Sequence, residues 1–152
     1  MRHRFEIEDE IERVEPYTSV TDDYASAWEY VEARKNRSYQ NTLKAFLKCR
    51  NKEEFESEKG RLEEVFEKYN GYVKDFYKGN REIFTDTYQA EHCEDELIGA
   101  RRALNYVFQE STIIKELGDN NARILKQIDR LKCRYEENCK KIREVQKWIE
   151  EN

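Results

Sequence analysis

The sequence has little that would end a helix. It contains one proline, Pro16, and five glycines in 152 residues, so strong punctuation between elements is scarce. Histidine is nearly absent: only His3 and His92 occur. A di-iron bundle needs Glu-x-x-His on two facing helices, and that spacing is missing. His92 and Cys93 are adjacent and Cys133 and Cys139 are six apart, so no chelating pair for zinc is formed. No Gly-x-Ser-x-Gly, His-Glu-x-x-His, glycine-rich phosphate loop or dinucleotide fingerprint is present. His92 and Cys93 do not make a nucleophile pair by adjacency, because successive helical residues point about 100° apart. The expectation is a protein with no catalytic, cofactor-binding or metal-binding residues. No apolar run approaches the length of a membrane span. Residues 1–8 have no apolar signal core, which predicts residence in the cytoplasm, or export with a partner. Cys49, Cys93, Cys133 and Cys139 are then expected as reduced thiols.

What the chain has in excess is charge. Asp, Glu, Lys and Arg make up 40% of it, hydrophobic residues 38% and aromatic residues 12%. The net charge is −5 with both signs mixed, so there is no broad cationic face for nucleic acid. A helix buries only a stripe, so extended helical assemblies need less apolar volume than a compact globule. Aromatic residues at helical spacing argue against disorder. The fold class expected is all-α, one domain over 1–152: long antiparallel helical hairpins, as a coiled-coil rod or an elongated four-helix bundle.

Residues 3–15 read as an amphipathic helix carrying Phe5, Ile7, Ile11 and Val14, ended by Pro16. A second helix is expected from a cap at Ser19 or Thr21 to about Arg50, with a polar middle over Arg34–Gln40. Asn51 caps the next helix, with Glu54 three residues on. From there a seam runs Leu62, Phe66, Tyr69, Val73, Phe76, Asn80, Ile83, Thr87, Ala90, Glu94, Leu97, Arg101, Leu104, Phe108. Its steps alternate between four and three, as in a supercoiled pair. The phase survives Asn70-Gly71, Gly79 and Gly99, which predicts one helix over 53–117, about 97 Å long if unbroken. Its weakest stretch, 89–96, is the alternative break. Gly118-Asp119-Asn120-Asn121 is expected to stop that helix. A final helix then carries Ile124, Ile128, Leu131, Tyr135, Asn138, Ile142, Val145 and Ile149, the strongest pattern in the chain. Asn80, Asn121 and Asn138 fall on the seams, where a polar residue fixes register at a cost in stability.

Aromatic residues remain after the seams are filled. Tyr77, Phe84 and Tyr88 are spaced seven and four, predicting a second stripe on one helix, with Tyr106 also off the seam. Either the stripe packs on another helix of the chain or it docks a partner, a role suited to rigid amphipathic tyrosines. Residues 1–16, with Phe5 and Ile11, likewise either pack back or act as a detachable docking segment.

Residues 69–110 carry aromatic-x-Gly steps at Tyr69-Asn70-Gly71 and Tyr77-Lys78-Gly79. The same stretch contains Tyr106-Val107-Phe108-Gln109-Glu110, similar to a Tyr-x-x-x-Asp/Glu export motif, and Phe76–Phe84 (FYKGNREIF) before a long charged helix. In these features it resembles the small helical accessory partners of LXG toxins in Gram-positive type VII secretion. It departs from them in having no Trp-x-Gly and in placing Tyr-x-x-x-Glu far from the C-terminus. The resemblance implies a non-catalytic partner that binds the helical targeting region of a secreted toxin. The leading expectation is thus a helical adaptor or chaperone-like protein. Its alternatives are a structural coiled-coil stalk of a secretion apparatus, and an enzyme or metal carrier with a site built from scattered residues.

Overall fold

The computed structural model describes Met1–Asn152 and is all-α, with five helices and no strand. They are α1 (Arg4–Val14), α2 (Ala27–Leu47), α3 (Lys52–Tyr77), α4 (Thr87–Val107) and α5 (Ile113–Glu151). The chain divides into two compact units, Met1–Ser111 and Thr112–Asn152.

In the first unit each helix start is set by a side chain that accepts a backbone N–H. His3 accepts from Phe5 N, Ser26 from Glu29 N, Asn51 from Glu54 N and Asp86 from Gln89 N. Glu54 reaches back to accept from Arg50 N at 2.6 Å, one residue before the Asn51 N–H that the anticipated capping box would use. Pro16 lies in a 3-10 turn, Glu15–Tyr17, directly after α1. The second helix begins at Ala27, not after Ser19 or Thr21. Tyr17 and Thr18 instead tie down side chains of α2: Arg37 donates to Thr18 O at 3.1 Å, and Asn36 to Tyr17 O at 3.0 Å.

The long helix expected over 53–117 is two helices and the beginning of a third. It breaks over 78–86, not 89–96. Gly79, at φ +104°, takes a left-handed conformation closed to most side chains. Around it Asn80 N donates to Asp75 O at 3.0 Å and Gly79 N to Phe76 O at 2.9 Å, the paired bonds that finish a helix. The second break falls at 108–112. There Arg2 N donates to Val107 O at 2.7 Å, taking the carbonyl that Ser111 would need for the helix to continue. Gly118-Asp119-Asn120-Asn121 is no stop at all: α5 runs through it from Ile113.

The first unit is built around α2 and α4, which run parallel. Arg34 pairs with Asp95, and further along Phe46 meets Phe108 edge-on at 6.0 Å. The two backbones touch at Gly99. A Cβ there would lie 2.2 Å from Lys35 O and 2.8 Å from Ser38 Cβ, and Ala90 and Ala103 on the same helix are fully buried. α3 lies antiparallel to α4, with Arg101 over Phe66 and Lys59 over Phe108. α1 lies antiparallel to α2, with Phe5 near Phe46 and Leu47 and Val14 near Asn36 and Tyr39; Tyr39 donates to Glu10 and Gln40 to Ile11 O. Phe46, Ile7, Leu43 and Val107 are the largest fully buried side chains, each stabilising by about 2 kcal/mol through removal from water. The polar middle of α2 also turns inward at its end, where Tyr39 and Gln40 are buried.

The second unit is α5 alone, 39 residues with no buried residue. At 1.5 Å per residue it is about 58 Å long.

Candidate protein-interaction site

α5 carries an unbroken heptad seam. Ile114, Leu117, Asn121, Ile124, Ile128, Leu131, Tyr135, Asn138, Ile142, Val145 and Ile149 follow one another in steps of three and four. That spacing keeps one face in line along a supercoiled helix. Leu117 starts the d positions and Ile114 the a positions, so the a set is Ile114, Asn121, Ile128, Tyr135, Ile142 and Ile149. The apolar members are between 50% (Ile124) and 87% (Ile114) exposed, and Leu125 and Trp148 beside the seam are exposed as well. Leaving nine such side chains in water forgoes on the order of 10 kcal/mol of gross burial. A monomeric globular surface rarely presents a contiguous apolar strip of this length.

The charged residues flanking the seam, at e and g, are of one sign. They include Lys132, Arg134 and Lys141 and no acid; Asp129, Glu136, Glu137 and Glu144 all stand on the outer face. An acid on the outer face lies three or four residues from each flanking cation, the spacing at which helix neighbours attract.

The residues singled out as docking anchors lie in the first unit, and they do not form one stripe. Tyr77 ends α3, Phe84 is in the 78–86 connection and Tyr88 opens α4. The turn at Gly79 removes the helical phase that would have aligned them. Phe84 and Tyr88 do come together, with Tyr69, Ile83, His92 and Cys93, around a shallow depression. Tyr77 is exposed and packs edge-on against Phe76 instead. Tyr106 is half-buried: its hydroxyl donates to Glu6 O at 3.1 Å and the Arg2 guanidinium covers its ring. It holds α1 in place. Ile11 is half-buried against the core, while Phe5, two residues before the fully buried Ile7, is exposed.

The ionisable groups with shifted titration have structural partners. Arg13 hydrogen-bonded to Glu10 holds that carboxyl below the usual range, assisted by Tyr39, against an opposing effect of burial. Burial and the same Glu10 push the Tyr39 phenol up. Burial raises the Cys93 and Cys49 thiols, reinforced by nearby glutamates, which keeps both in the unreactive protonated form. No three His, Cys, Asp or Glu side chains converge into a set fit for a metal ion. No helix is long and apolar enough to cross a membrane. The feature that the sequence pattern underrated is the Arg34–Asp95 pair at 2.7 Å, joining α2 to α4 at a nearly buried position. Its only sequence signal is a charged residue on each of two faces that otherwise turn inward.

Comparison with protein-family models, curated proteins and solved structures returns no match. The arrangement therefore has to be interpreted from its own geometry: a four-helix unit with a filled core, and a long helix whose apolar face is uncovered.

Proposed function

We propose that this chain is a non-enzymatic helix-pairing protein, an adaptor or chaperone-like partner that binds another amphipathic helix along α5. The observation carrying this reading is the exposed heptad seam of α5, running from Ile114 to Ile149 with no core of its own to enter. Association costs roughly 4–15 kcal/mol in lost freedom, which burial of nine large apolar side chains by a second helix is of the size to offset. Asn121 and Asn138 restrict which helices fit, since each needs a polar partner across the seam. The resemblance to the accessory partners of LXG toxins supplies a heterologous candidate, the helical targeting region of a secreted toxin. Phe84 and Tyr88, on the first unit, offer a smaller second patch.

Hydroxyl-radical footprinting tests this directly. In purified protein and in cell extract, oxidation of Tyr135 and Leu131 is measured in the wild type and in Ile128→Asp. Seam residues should be protected in the wild type in at least one of the two settings and labelled freely in Ile128→Asp. Equal labelling of both proteins in both settings would refute the proposal.

A further inference from the structure

We infer that the helix covering α5 is α5 of a second copy, running antiparallel, with Asn121 of each chain opposite Asn138 of the other. This rests on α5 being a pairing helix and adds the identity and direction of its occupant.

The seam is self-complementary in that arrangement. In an antiparallel pair each a position faces a d position. Asn121 is an a residue and Asn138 a d residue, so one register sets both asparagine layers at once and places the two-fold axis between Asp129 and Arg130. The remaining layers between 114 and 145 are then apolar against apolar: Ile114 with Val145, Leu117 with Ile142, Ile124 with Tyr135, and Ile128 with Leu131. A slip of one heptad in either direction puts Asn121 against Leu131 or Val145, burying an amide with no partner. The flanks agree. Arg134 falls beside Gln127, Lys141 beside Asn120 and Lys132 beside Leu125, so no flanking cation meets another. Trp148 falls beside Ile113.

Charge on the remainder of the chain selects direction. Residues 1–111 contain 18 Lys and Arg against 25 Asp and Glu, a net charge of −7. A parallel pair would bring the two Thr112 ends, and the acidic unit preceding each, to the same end of the coil. It would also stack Tyr135 on Tyr135. The antiparallel pair separates the two Thr112 ends by about 50 Å, well beyond the screening length of about 8 Å at physiological salt. The solvent-facing seam on one helix holds on the order of 1,000 Å², against the about 800 Å² per partner that a stable interface takes. Register is thus specified by Asn121 and Asn138, and direction by the −7 unit and Tyr135.

The test uses the full chain with its four cysteines replaced by serine and a nitroxide attached at Lys147→Cys, on the outer face of α5. Light scattering should give twice the 18.5 kDa chain mass. Dipolar spectroscopy should give a separation of about 50 Å for the labels in the antiparallel register. A separation under about 30 Å would show a parallel pair and overturn the inference, as would a mass of three or four chains. A monomeric mass with the seam protected only in cell extract would mean a heterologous helix, overturning the second copy while leaving the pairing role intact. A monomeric mass with the seam unprotected in both settings would overturn both.

Discussion

Alanine in place of Gly99 should destabilise the first unit by about 2 kcal/mol, whereas the same change at Gly71 should stabilise it by about 0.5–1 kcal/mol. Both glycines are inside helices, and alanine is the better helix former by about 1 kcal/mol at either place. Their surroundings decide the sign. At Gly71 an added Cβ meets nothing within 4 Å. At Gly99 it would stand 2.2 Å from Lys35 O, 2.8 Å from Ser38 Cβ and 3.0 Å from Tyr39 N. Two of these neighbours are backbone atoms of α2 and cannot rotate away. Relief requires α2 and α4 to part by about 1 Å, which loosens contacts along the whole crossing; overpacking against backbone this close costs about 3 kcal/mol, leaving about 2 kcal/mol after alanine's helix gain. Gly79→Ala provides a third, separate case: its space is open, but its φ of +104° is strained for a side chain, at a cost of about 1 kcal/mol. Urea unfolding followed by Trp28 fluorescence, in a Trp148→Phe background, reports on the first unit. A Gly99→Ala protein as stable as the wild type would refute the close α2–α4 contact.

Three further outcomes follow from the same unit. Asp95→Ala leaves Arg34 nearly buried with no carboxylate and should cost about 2–3 kcal/mol, while Arg34→Met/Asp95→Leu should recover most of that loss in urea unfolding. Tyr106→Phe removes the bond to Glu6 O and should cost about 1 kcal/mol, read from the same curves. Glu10 titrates below the usual range because of Arg13 first and Tyr39 after it, so its contribution is present above the ordinary glutamate value of about 4.3 and is lost as pH falls through its lower folded value. The stability difference between wild type and Glu10→Gln should therefore be largest near pH 6 and shrink towards pH 3; a difference independent of pH would contradict that assignment.

The helical class was legible because periodicity is a long-range signal: Leu62, Phe66, Val73 and Phe76 on α3, and Ala90, Leu97 and Leu104 on α4, are all buried as the seam predicted. The same signal misled about where the helices end. A seam that keeps its phase across a turn looks continuous, and it did so at Gly79. Local chemistry there was the better guide: Gly79-Asn80 is followed by Asp86-x-x-Gln89, in which Gln89 N donates to Asp86 and Gln89 Oε1 accepts from Thr85 N. At Gly118 the reverse held, since Ile114, Leu117, Asn121 and Ile124 carry the phase through a sequence that resembles a stop. The break at 108–112 depends on Arg2 N reaching Val107 O, a contact between residues more than a hundred apart that no local pattern encodes. The docking stripe at Tyr77, Phe84 and Tyr88 dissolved with the helix assumed beneath it. The α5 seam, by contrast, could be read residue by residue; what the sequence pattern did not carry was the exposure of that apolar face along the helix.

The claim that another helix covers α5 is tested most directly by amide hydrogen exchange on the full chain. An isolated helix in water is marginal and its amides exchange readily, whereas a packed helix exchanges only through rarer opening. The amides of Ile124–Ile142 should exchange about as slowly as those of α2 and α4, and Ile128→Asp should accelerate them while leaving α2 and α4 unchanged. Exchange over Ile124–Ile142 that is fast in the wild type, and no faster in Ile128→Asp, would contradict the account.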